Sequence, residues 1–285
     1  MIEYRSLGTL KFDELYAAFS SAFSEYDIQV NRAELARMLH RRGFVPELSF
    51  GAFDNDALVS FTFNGIGTFN GLKTAYDTGT GTIKEYRGQG LASRVFEKSI
   101  PMLVKAGISQ YLLEVLQHNK AAVSVYTKQG FLVTREFNYF SQQVSSLTLK
   151  SEDLRSECLI GEITLSDLKN VSKWWDYAPS WQNSFESIYR KPDDFVVIGA
   201  TRGNTLLGYG IIEPTTGDIT QLAVEKTSRR QGVATAILKE LLKRNRYSSI
   251  KLINSEISCD SITALMENNG IPLRGKQFEM VKMLT

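Results

Sequence analysis

Cysteine, histidine and proline are scarce in this chain. Its 285 residues include two cysteines, two histidines and six prolines. Cys158 and Cys259 lie far apart and outside any metal-ligand spacing, so they predict free thiols rather than a disulfide framework. His40 and His118 are too few to complete a zinc site. We therefore expect no bound metal.

An excess of charge of one sign is also lacking, as is a long apolar run. The 33 Lys and Arg residues nearly balance the 31 Asp and Glu residues, for a net charge of +2, which argues against nucleic-acid binding through overall charge. No apolar run approaches the ~18 residues that span a membrane. The residues after Met1 lack the apolar core of a signal peptide. We expect a cytoplasmic protein with no nucleic-acid and no membrane partner.

A short pattern occurs twice in the chain. Residues 87–92 read Arg-Gly-Gln-Gly-Leu-Ala and residues 229–234 read Arg-Arg-Gln-Gly-Val-Ala, so both follow Arg-x-x-Gly-x-Ala. The copies lie nearly half a chain apart, which indicates two similar domains rather than a solenoid of small repeats. A polar, Ser-rich linker between Gln143 and Glu157 predicts domains at residues 1–145 and 156–285.

The residues around each copy predict the same order of elements. A strand precedes each pattern, at residues 73–83 and 217–224. An amphipathic helix follows, since apolar residues recur at helical spacing, most cleanly at Val233, Ile237 and Leu241. Pro101 is expected to kink or end the first of these helices. The other predicted elements are hairpins within residues 48–63 and 195–212 and helices at residues 12–23 and 32–42.

A strand, a glycine-containing turn and a helix together form a site for an anion. The first N–H groups of a helix have no partner within it and carry partial positive charge. Gly90 and Gly232 let a phosphate approach the backbone, and Arg87 and Arg229 add positive charge. A diphosphate is the expected ligand. The alternative is a tight turn with solvated arginines, because neither copy is a Walker loop or a complete dinucleotide fingerprint.

These residues resemble a known family. An apolar strand followed by Arg-x-x-Gly-x-Gly/Ala resembles motif A of the GCN5-related N-acetyltransferases (GNAT), closely at residues 222–224 with Arg229 and more loosely at residues 81–83 with Arg87. A second stretch resembles motif B of the family through Leu113, Glu114, Val115, Asn119, Ala122, Tyr126, Gly130 and Phe131. The resemblance covers residues 2–140 well and residues 159–284 in outline.

The resemblance implies an α/β fold of two tandem GNAT-like domains. Each would hold a mixed, mostly antiparallel sheet flanked by helices, with a splayed central strand pair. It also implies acetyl-CoA as cosubstrate. The residues that it implies in binding acetyl-CoA are Thr82, Ile83, Arg87, Gly88, Gln89, Gly90, Leu91, Ala92, Asn119, Val224, Arg229, Gly232 and Ala234. The alternative role of Asn119 is a helix N-cap, and the two roles are compatible.

The resemblance further implies direct acetyl transfer to the primary amine of a small molecule or peptide, with the first domain catalytic. A base must take a proton from the ammonium group, and Glu114 is the first candidate and Asp77 the second. Tyr126 lies where the family places the general acid that protonates the leaving thiolate. The alternatives are a salt-bridged Glu114, a structural Asp77 and a Tyr126 ring that packs in the core.

The second domain departs from motif B. When Gly270 is aligned with Gly130, the three chemical positions hold Asn254, Cys259 and Met266. A methionine cannot protonate a thiolate. The second domain is therefore expected to keep the fold rather than the chemistry, although Asp218 begins the strand where histone-type members of the family carry a base.

Residues 174–183 are unusually aromatic and are a candidate wall for a substrate pocket. Trp181 and Gln182 follow a turn signal at Pro179 and are the expected pocket residues, since a Trp face can hold a cation. Trp174 and Trp175 are expected to pack in the core.

Two other functions remain open from the sequence. One is a sensor that binds CoA or acyl-CoA without turnover, and Glu114 and Tyr126 argue against it because binding alone needs neither. The other is a tandem acetyltransferase whose second domain is active, against which the intact motif B of the first half argues. The sequence singles out no particular amine and no oligomeric state.

Overall fold

The computed structural model describes residues 1–25, 29–149, 154–155 and 157–284. The chain forms two compact units. Unit 1 comprises residues 1–115, 119–134 and 279–285, and unit 2 comprises residues 116–118 and 135–278.

The compact units differ from the predicted division at residues 1–145 and 156–285. Residues 137–143 lie before the linker, yet they pair antiparallel with residues 249–256 inside unit 2. Near the end of the chain the Leu284 N–H donates to Ser109 O at 2.9 Å inside unit 1. A division of the chain at the polar linker alone would place both segments in the other unit. Contacts within the folded sheet, rather than the composition of the linker, decide to which unit a segment belongs.

Unit 1 is built from strands and helices that alternate after its first hairpin. They are β1 (Ile2–Ser6), α1 (Phe12–Ala22), α2 (Arg32–Arg42), β2 (Phe50–Asp54), β3 (Ala57–Phe69), β4 (Leu72–Thr82), α3 (Leu91–Lys105), β5 (Gln110–Leu116), α4 (Lys120–Lys128) and the start of β6 (Leu132–Gln143). The strand order is β1-β2-β3-β4-β5. Neighbouring strands are antiparallel except β4 and β5, which are parallel.

Local sequence signals explain where the second helix begins and ends. The Asn31 side chain accepts a hydrogen bond from the Glu34 N–H at 3.0 Å, and Glu34 accepts one from the Asn31 N–H at 2.8 Å. This reciprocal cap satisfies two N–H groups that the helix itself leaves open. Gly43 ends α2 with φ +78°, a conformation that suits glycine.

The two faces of β2 are covered by different helices. Phe53 packs with α1 and α2 in one apolar cluster, whereas Phe50 and Ala52 pack with α3 in another. Alternate residues of a strand point to opposite faces, so β2 is buried on both sides. The sheet of unit 1 therefore holds α3, and the loop before it, in a fixed position.

The helix α3 does not end at Pro101. It continues to Lys105, and Leu103 beyond the proline is fully buried. Proline removes one helical hydrogen bond and clashes with the preceding turn, at a cost of about 3 kcal/mol. Burial of the leucine two residues later offsets part of that cost. Of the two expected effects, a kink or an end at Pro101, the end is wrong.

Unit 2 repeats the order of unit 1. After the remainder of β6 it contains β7 (Leu159–Ile163), α5 (Phe185–Tyr189), β8 (Val196–Arg202), β9 (Thr205–Glu213), β10 (Asp218–Val224), α6 (Val233–Arg244), β11 (Ser249–Glu256), α7 (Asp260–Asn268) and most of β12 (Leu273–Met283). The strand order is β6-β11-β10-β9-β8-β7, with β10 and β11 parallel. A mostly antiparallel arrangement with one parallel pair thus occurs in both units, and the predicted fold class is confirmed.

Candidate functional site

The parallel strand pair of unit 1 separates partway along its length. In the described residues, the paired part of β4 and β5 begins with Thr74 opposite Gln110 and ends with Tyr76 opposite Leu112. Both strands continue beyond these pairs. The pairing of β4 with β3 shifts at the same place: Phe63 pairs with Gly79 and Asn64 with Asp77, so Thr78 is an extra residue on β4. An extra residue of this kind increases the local twist. We call the resulting opening the unit 1 gap. Backbone groups along such a gap are free to pair with an added extended ligand.

Two hydrogen-bonded pairs of titratable side chains lie at the unit 1 gap. Tyr126 Oη, from α4, donates to Asp77 Oδ2 on β4 at 3.2 Å. Tyr76 Oη, also on β4, donates to Glu114 Oε2 on β5 through a short hydrogen bond. The structure therefore brings together three residues that the sequence predicted for chemistry: Asp77, Glu114 and Tyr126.

The environment of Asp77 disfavours its charged form. Burial raises the pKa of the Asp77 carboxyl above its ordinary value of 3.8, although hydrogen bonds from Thr80, Gly79 and Tyr126 each oppose this rise. Burial also holds the pKa of Tyr76 well above its ordinary value, and the nearby negative charge of Glu114 adds to this effect. Tyr76 therefore remains a donor to Glu114, and the Asp77 carboxyl is protonated more easily than an exposed one.

The loop before α3 has the backbone geometry of an anion site. Gly88 and Gly90 have φ of +76° and +72°, which favours glycine at both positions. The first bond of the helix runs from the Arg94 N–H to Gly90 O at 3.1 Å. The N–H groups of the preceding turn are therefore available to a ligand. A Cβ atom at either glycine would meet no atom within 4 Å, so open space lies in front of the loop.

The guanidinium group of Arg87 braces this loop. Its Nη1 donates to Glu25 Oε2 at 2.6 Å, its Nη2 to Ala22 O at 2.9 Å and its Nε to Thr82 O at 3.2 Å. Hydrogen bonds from Lys84 and then from Arg87 hold the pKa of Glu25 below its ordinary value. Arg87 thereby joins the end of α1 to the end of β4. A direct contact of Arg87 with a diphosphate remains a prediction.

Arg229 makes the matching contacts in unit 2. Its Nη1 donates to both carboxylate oxygens of Asp176, at 2.9 and 3.0 Å. Its Nη2 donates to Trp174 O at 2.7 Å and its Nε to Val224 O at 3.1 Å. The repeated arginine therefore has the same supporting role in both loops, each time with an acidic partner that the sequence pattern does not include.

Asn119 has the capping role that the sequence left open. It is the N-cap of α4, and its Oδ1 accepts a hydrogen bond from the Ala122 N–H at 3.1 Å. The Tyr126 ring, about two turns later, lies edge-on to Phe131 with centroids 5.6 Å apart. Packing and hydrogen bonding therefore both fix the Tyr126 side chain.

Each unit has a pocket beside its glycine loop, and the two pockets differ in size. The pocket of unit 1 has a volume of about 240 Å³ and is lined by the loop, Thr82 and Val125. The pocket of unit 2 has a volume of about 670 Å³. Trp174, Trp175 and Gln221 are among the residues that line it. This difference in volume was not predicted from the sequence.

The motif B positions of unit 2 are occupied by buried side chains that differ from those of unit 1. Met266 is fully buried in α7 at the place that Tyr126 has in α4. Cys259 is a buried free thiol before α7. Asn254 has φ +59° and donates from Nδ2 to Ser180 Oγ at 3.0 Å. Asp218 is 2% exposed and lies at the paired end of β10.

The aromatic segment of unit 2 agrees with the expectation in part. Trp174 lies in a buried apolar cluster and Trp175 packs against it, as expected, and both also line the large pocket. Trp181 is 2% exposed and Gln182 6% exposed, and neither is among the lining residues. The Arg190 guanidinium lies 5.2 Å from the centre of the Trp181 ring, so the expected cation contact is made within the protein. A turn signal at Pro179 did not suffice to place the next side chain at a surface.

The described residues contain no group of three or more His, Cys, Asp or Glu side chains that could hold a metal ion. Within the same part of the chain, no helix is long and apolar enough to cross a membrane.

The comparisons with known proteins follow the two repeats. Residues 12–131 and 161–255 both match the acetyltransferase (GNAT) family. The chain belongs to this family. Its matched segments include both glycine loops and both parallel strand pairs, so the GNAT fold is present twice.

Individual relatives match over shorter segments or at low identity. N-alpha-acetyltransferase 30 of Schizosaccharomyces pombe is 33% identical over 87 residues, which cover 30% of this GNAT chain and 58% of that protein. The chain spans 27% to 58% of the length of the curated relatives it matches.

A tandem GNAT protein from the clavulanic acid biosynthesis pathway has the same fold, with a TM-score of 0.75 and 11% identity over 100% of this chain and 99% of the other. A GCN5-related N-acetyltransferase from Sphaerobacter thermophilus gives a TM-score of 0.72 at 12% identity, over 99% and 96% of the two chains.

Proposed function

We propose that the protein is an acetyl-CoA-dependent N-acetyltransferase and that unit 1 carries out the transfer to a primary amine. The observation that carries the proposal is the pairing of Tyr126 with Asp77 beside Glu114, at the opening of the unit 1 gap. Family membership supports the reaction class. The amine belongs to a small molecule or a peptide.

The loop and the gap of unit 1 fit the two ends of CoA. Available N–H groups at the start of α3, next to open space at Gly88 and Gly90, suit a diphosphate. The separated edge of β4 suits the extended amide chain of pantetheine. When bound, acetyl-CoA supplies an acetyl group activated as a thioester.

The residues of the unit 1 gap supply the proton transfers. Glu114, on β5, is the proposed base for the ammonium proton. Tyr126 Oη is the proposed proton donor to the leaving thiolate. Asp77 Oδ2 accepts a hydrogen bond from the Tyr126 hydroxyl at 3.2 Å and so orients it. The backbone N–H groups along β4 can stabilise the developing oxyanion.

The test is the release of free thiol from acetyl-CoA in the presence of a panel of primary amines. Tyr126→Phe is expected to lower kcat by about 10²-fold or more, the usual contribution of a general acid, and to leave CoA binding intact. Tyr247→Phe removes the same atom from a tyrosine that is 42% exposed and is the matched control. An unchanged kcat for Tyr126→Phe would contradict its role.

The choice of unit is tested by charge reversal at the two loops. Arg87→Glu is expected to abolish turnover, because it repels Glu25 and releases the loop before α3. Arg229→Glu does the same to the loop of unit 2 and is expected to leave turnover in place. The opposite pattern would assign the transfer to unit 2.

A further inference from the structure

A buried hydrogen bond spans the base of the unit 1 gap. Tyr111 Oη, from β5, donates to Asn64 Oδ1 on β3 at 2.5 Å. The strand β4 lies between these two strands, and Tyr111 is opposite Ala75 in the parallel register. The tyrosine ring therefore passes over β4 at a small side chain, two residues before Asp77. We call the hydrogen bond between Tyr111 and Asn64 the strut.

Both ends of the strut are held by further contacts. Tyr111 and Asn64 are fully buried. The Asn64 side chain donates from Nδ2 to Leu48 O at 2.6 Å, and the Asn64 N–H donates to Ser49 Oγ at 2.8 Å. The Tyr111 ring lies edge-on to Phe96 of α3, with centroids 5.0 Å apart. A buried polar pair whose groups are bonded in this way is rigid.

The strut is connected to both partners of the hydrogen bond between Tyr126 and Asp77. Asn64 is paired with Asp77 in the register of β3 and β4. Tyr111 lies edge-on to Phe131 at 5.7 Å, and Phe131 lies edge-on to Tyr126 at 5.6 Å. Tyr126 Oη is 3.2 Å from Asp77 Oδ2, which is longer than the usual O–H···O distance of about 2.7–2.8 Å. A small displacement of either side chain would therefore break this hydrogen bond.

The strand registers identify the matching positions of unit 2. The pairing of β9 and β10 also contains one extra residue, Thr220, and Ile212 and Ile219 form the last pair before it. In the parallel pair, Lys251 is opposite the residue that precedes Ile219. Ile250 therefore has the place along β11 that Tyr111 has along β5. The positions of Asn64, Asp77 and Tyr111 are occupied, in this order, by Ile212, Ile219 and Ile250.

The three isoleucines show that apolar packing alone can fill this place in the fold. All three are fully buried in one apolar cluster. Apolar groups that replace both partners of a buried hydrogen bond can leave stability nearly unchanged. Unit 1 has the polar set together with Tyr126, whereas unit 2 has isoleucines together with Met266 at the matching position of α7. The polar set therefore accompanies the tyrosine rather than the fold.

We propose that Tyr111 and Asn64 are positioning residues: the strut fixes the width of the unit 1 gap and holds the Tyr126 hydroxyl against Asp77. This role rests on the proposed function, in which the proton passes from Tyr126 Oη to the sulfur of the leaving thiolate. Neither residue has to contact acetyl-CoA or the amine. The strut acts on the transfer through Tyr126.

The first measurement is hydrogen exchange of the backbone N–H groups in the free full-length chain. Tyr111→Phe removes one oxygen atom and with it the strut. Exchange within residues 77–82 and 113–116 is expected to become about tenfold faster, because the strands lose their connection across the gap. The matched control is Tyr209→Phe, which removes a buried hydroxyl that donates to Gln221 Oε1 at 2.7 Å in unit 2. It is expected to leave exchange in these segments unchanged.

The second measurement is of kcat and KM with an amine that the wild type accepts. Tyr111→Phe is expected to lower kcat about tenfold, since a misplaced catalytic group costs up to about 10²-fold, and to leave KM for acetyl-CoA unchanged. In a chain that already carries Tyr126→Phe, the same substitution is expected to have no further effect on kcat. Tyr209→Phe is expected to leave kcat unchanged.

The outcomes separate the strut from the proposed function. Should Tyr111→Phe fail to fold because Asn64 Oδ1 is left unpaired, the addition of Asn64→Leu removes the second partner and carries the same expectations. Unchanged exchange, an unchanged kcat, or an equal loss of kcat with and without Tyr126→Phe would overturn the proposal. If Tyr126→Phe lowers kcat and Tyr111→Phe does not, the proposed function stands without the strut. If the wild type releases no thiol with any amine, the proposed function fails and the positioning role fails with it.

Discussion

At the scale of single residues, Asp77 makes the stability of the protein depend on pH. Its carboxyl has a raised pKa in the folded chain, so between pH 3.8 and that raised value the folded state holds more protons than the unfolded state. Stability contributed at this site therefore falls as pH rises through the window. We expect Asp77→Asn to become progressively more stable relative to wild type from about pH 4 upward, as measured by urea denaturation at a series of pH values.

Asp167 provides a control of opposite sign. Hydrogen bonds from the side chain and N–H of Thr164 lower the pKa of its carboxyl. The stabilisation from this group is present above the ordinary carboxyl pKa and is lost as pH falls. Asp167→Asn should therefore lose stability relative to wild type as pH rises. Parallel curves for the two variants would show that neither carboxyl causes the pH dependence.

The sequence predicted which titratable residues lie at the unit 1 gap better than it predicted their hydrogen-bond partners. Asp77, Glu114 and Tyr126 were candidates from motif position, and the structure places them at one gap. The partner of Glu114 is Tyr76, 38 residues away, and no spacing rule joins two residues on neighbouring parallel strands. Such a contact depends on strand register, which the parallel pair sets only in the folded sheet.

At the scale of secondary-structure elements, α3 continues past Pro101, an unfavourable residue inside a helix, because tertiary packing stabilises its last turn. The position is exposed within α3. Pro101→Ala restores an N–H and removes the ring clash, which together outweigh the lost rigidity of the unfolded chain of about 0.4–1 kcal/mol. We expect a gain of about 1–2 kcal/mol in the free energy of unfolding, measured by denaturant titration. Lys98→Ala, on an exposed position of the same helix, should change it little; a loss of stability in Pro101→Ala would contradict this explanation.

Element positions followed from the sequence where caps and periodicity agreed. The second helix was predicted at residues 32–42, and α2 occupies Arg32–Arg42 between an Asn31 cap and Gly43. The strand β3 extends to Phe69, beyond the predicted end at residue 63. Its extra length includes Asn64, Gly65 and Gly67, which are poor strand formers that pairing with β4 overrides.

At the scale of the whole molecule, the burial of a leucine side chain, rather than its hydrophobicity alone, decides how much it contributes to the free energy of unfolding. Leu35 is fully buried between α2 and the core, whereas Leu132 is 72% exposed at the start of β6. Leu35→Ala is expected to cost about 2–5 kcal/mol of unfolding free energy, and Leu132→Ala less than about 0.5 kcal/mol. Thermal and denaturant unfolding of both variants provides the measurement. Equal losses would show that the Leu132 side chain is covered in solution.

The tandem organisation was visible in the repeated pattern, and Met266 at the position of Tyr126 predicted a change of chemistry in unit 2. The hydrogen bonds that join Gln221 to Asn183 and Asn183 to Ile253 could not be predicted, because these residues come from three separate parts of the chain. Each is an ordinary residue in its own local sequence.

The assignment of residues 279–285 to unit 1 affects how the chain is made. A ribosome translates all of unit 2 before it reaches these residues, so the hydrogen bond from the Leu284 N–H to Ser109 O can form only after unit 2 has been synthesised. Until translation of unit 2 is complete, the nascent amino-terminal half therefore lacks the hydrogen bond at Ser109. The order of synthesis thus makes unit 1 the last of the two to be finished.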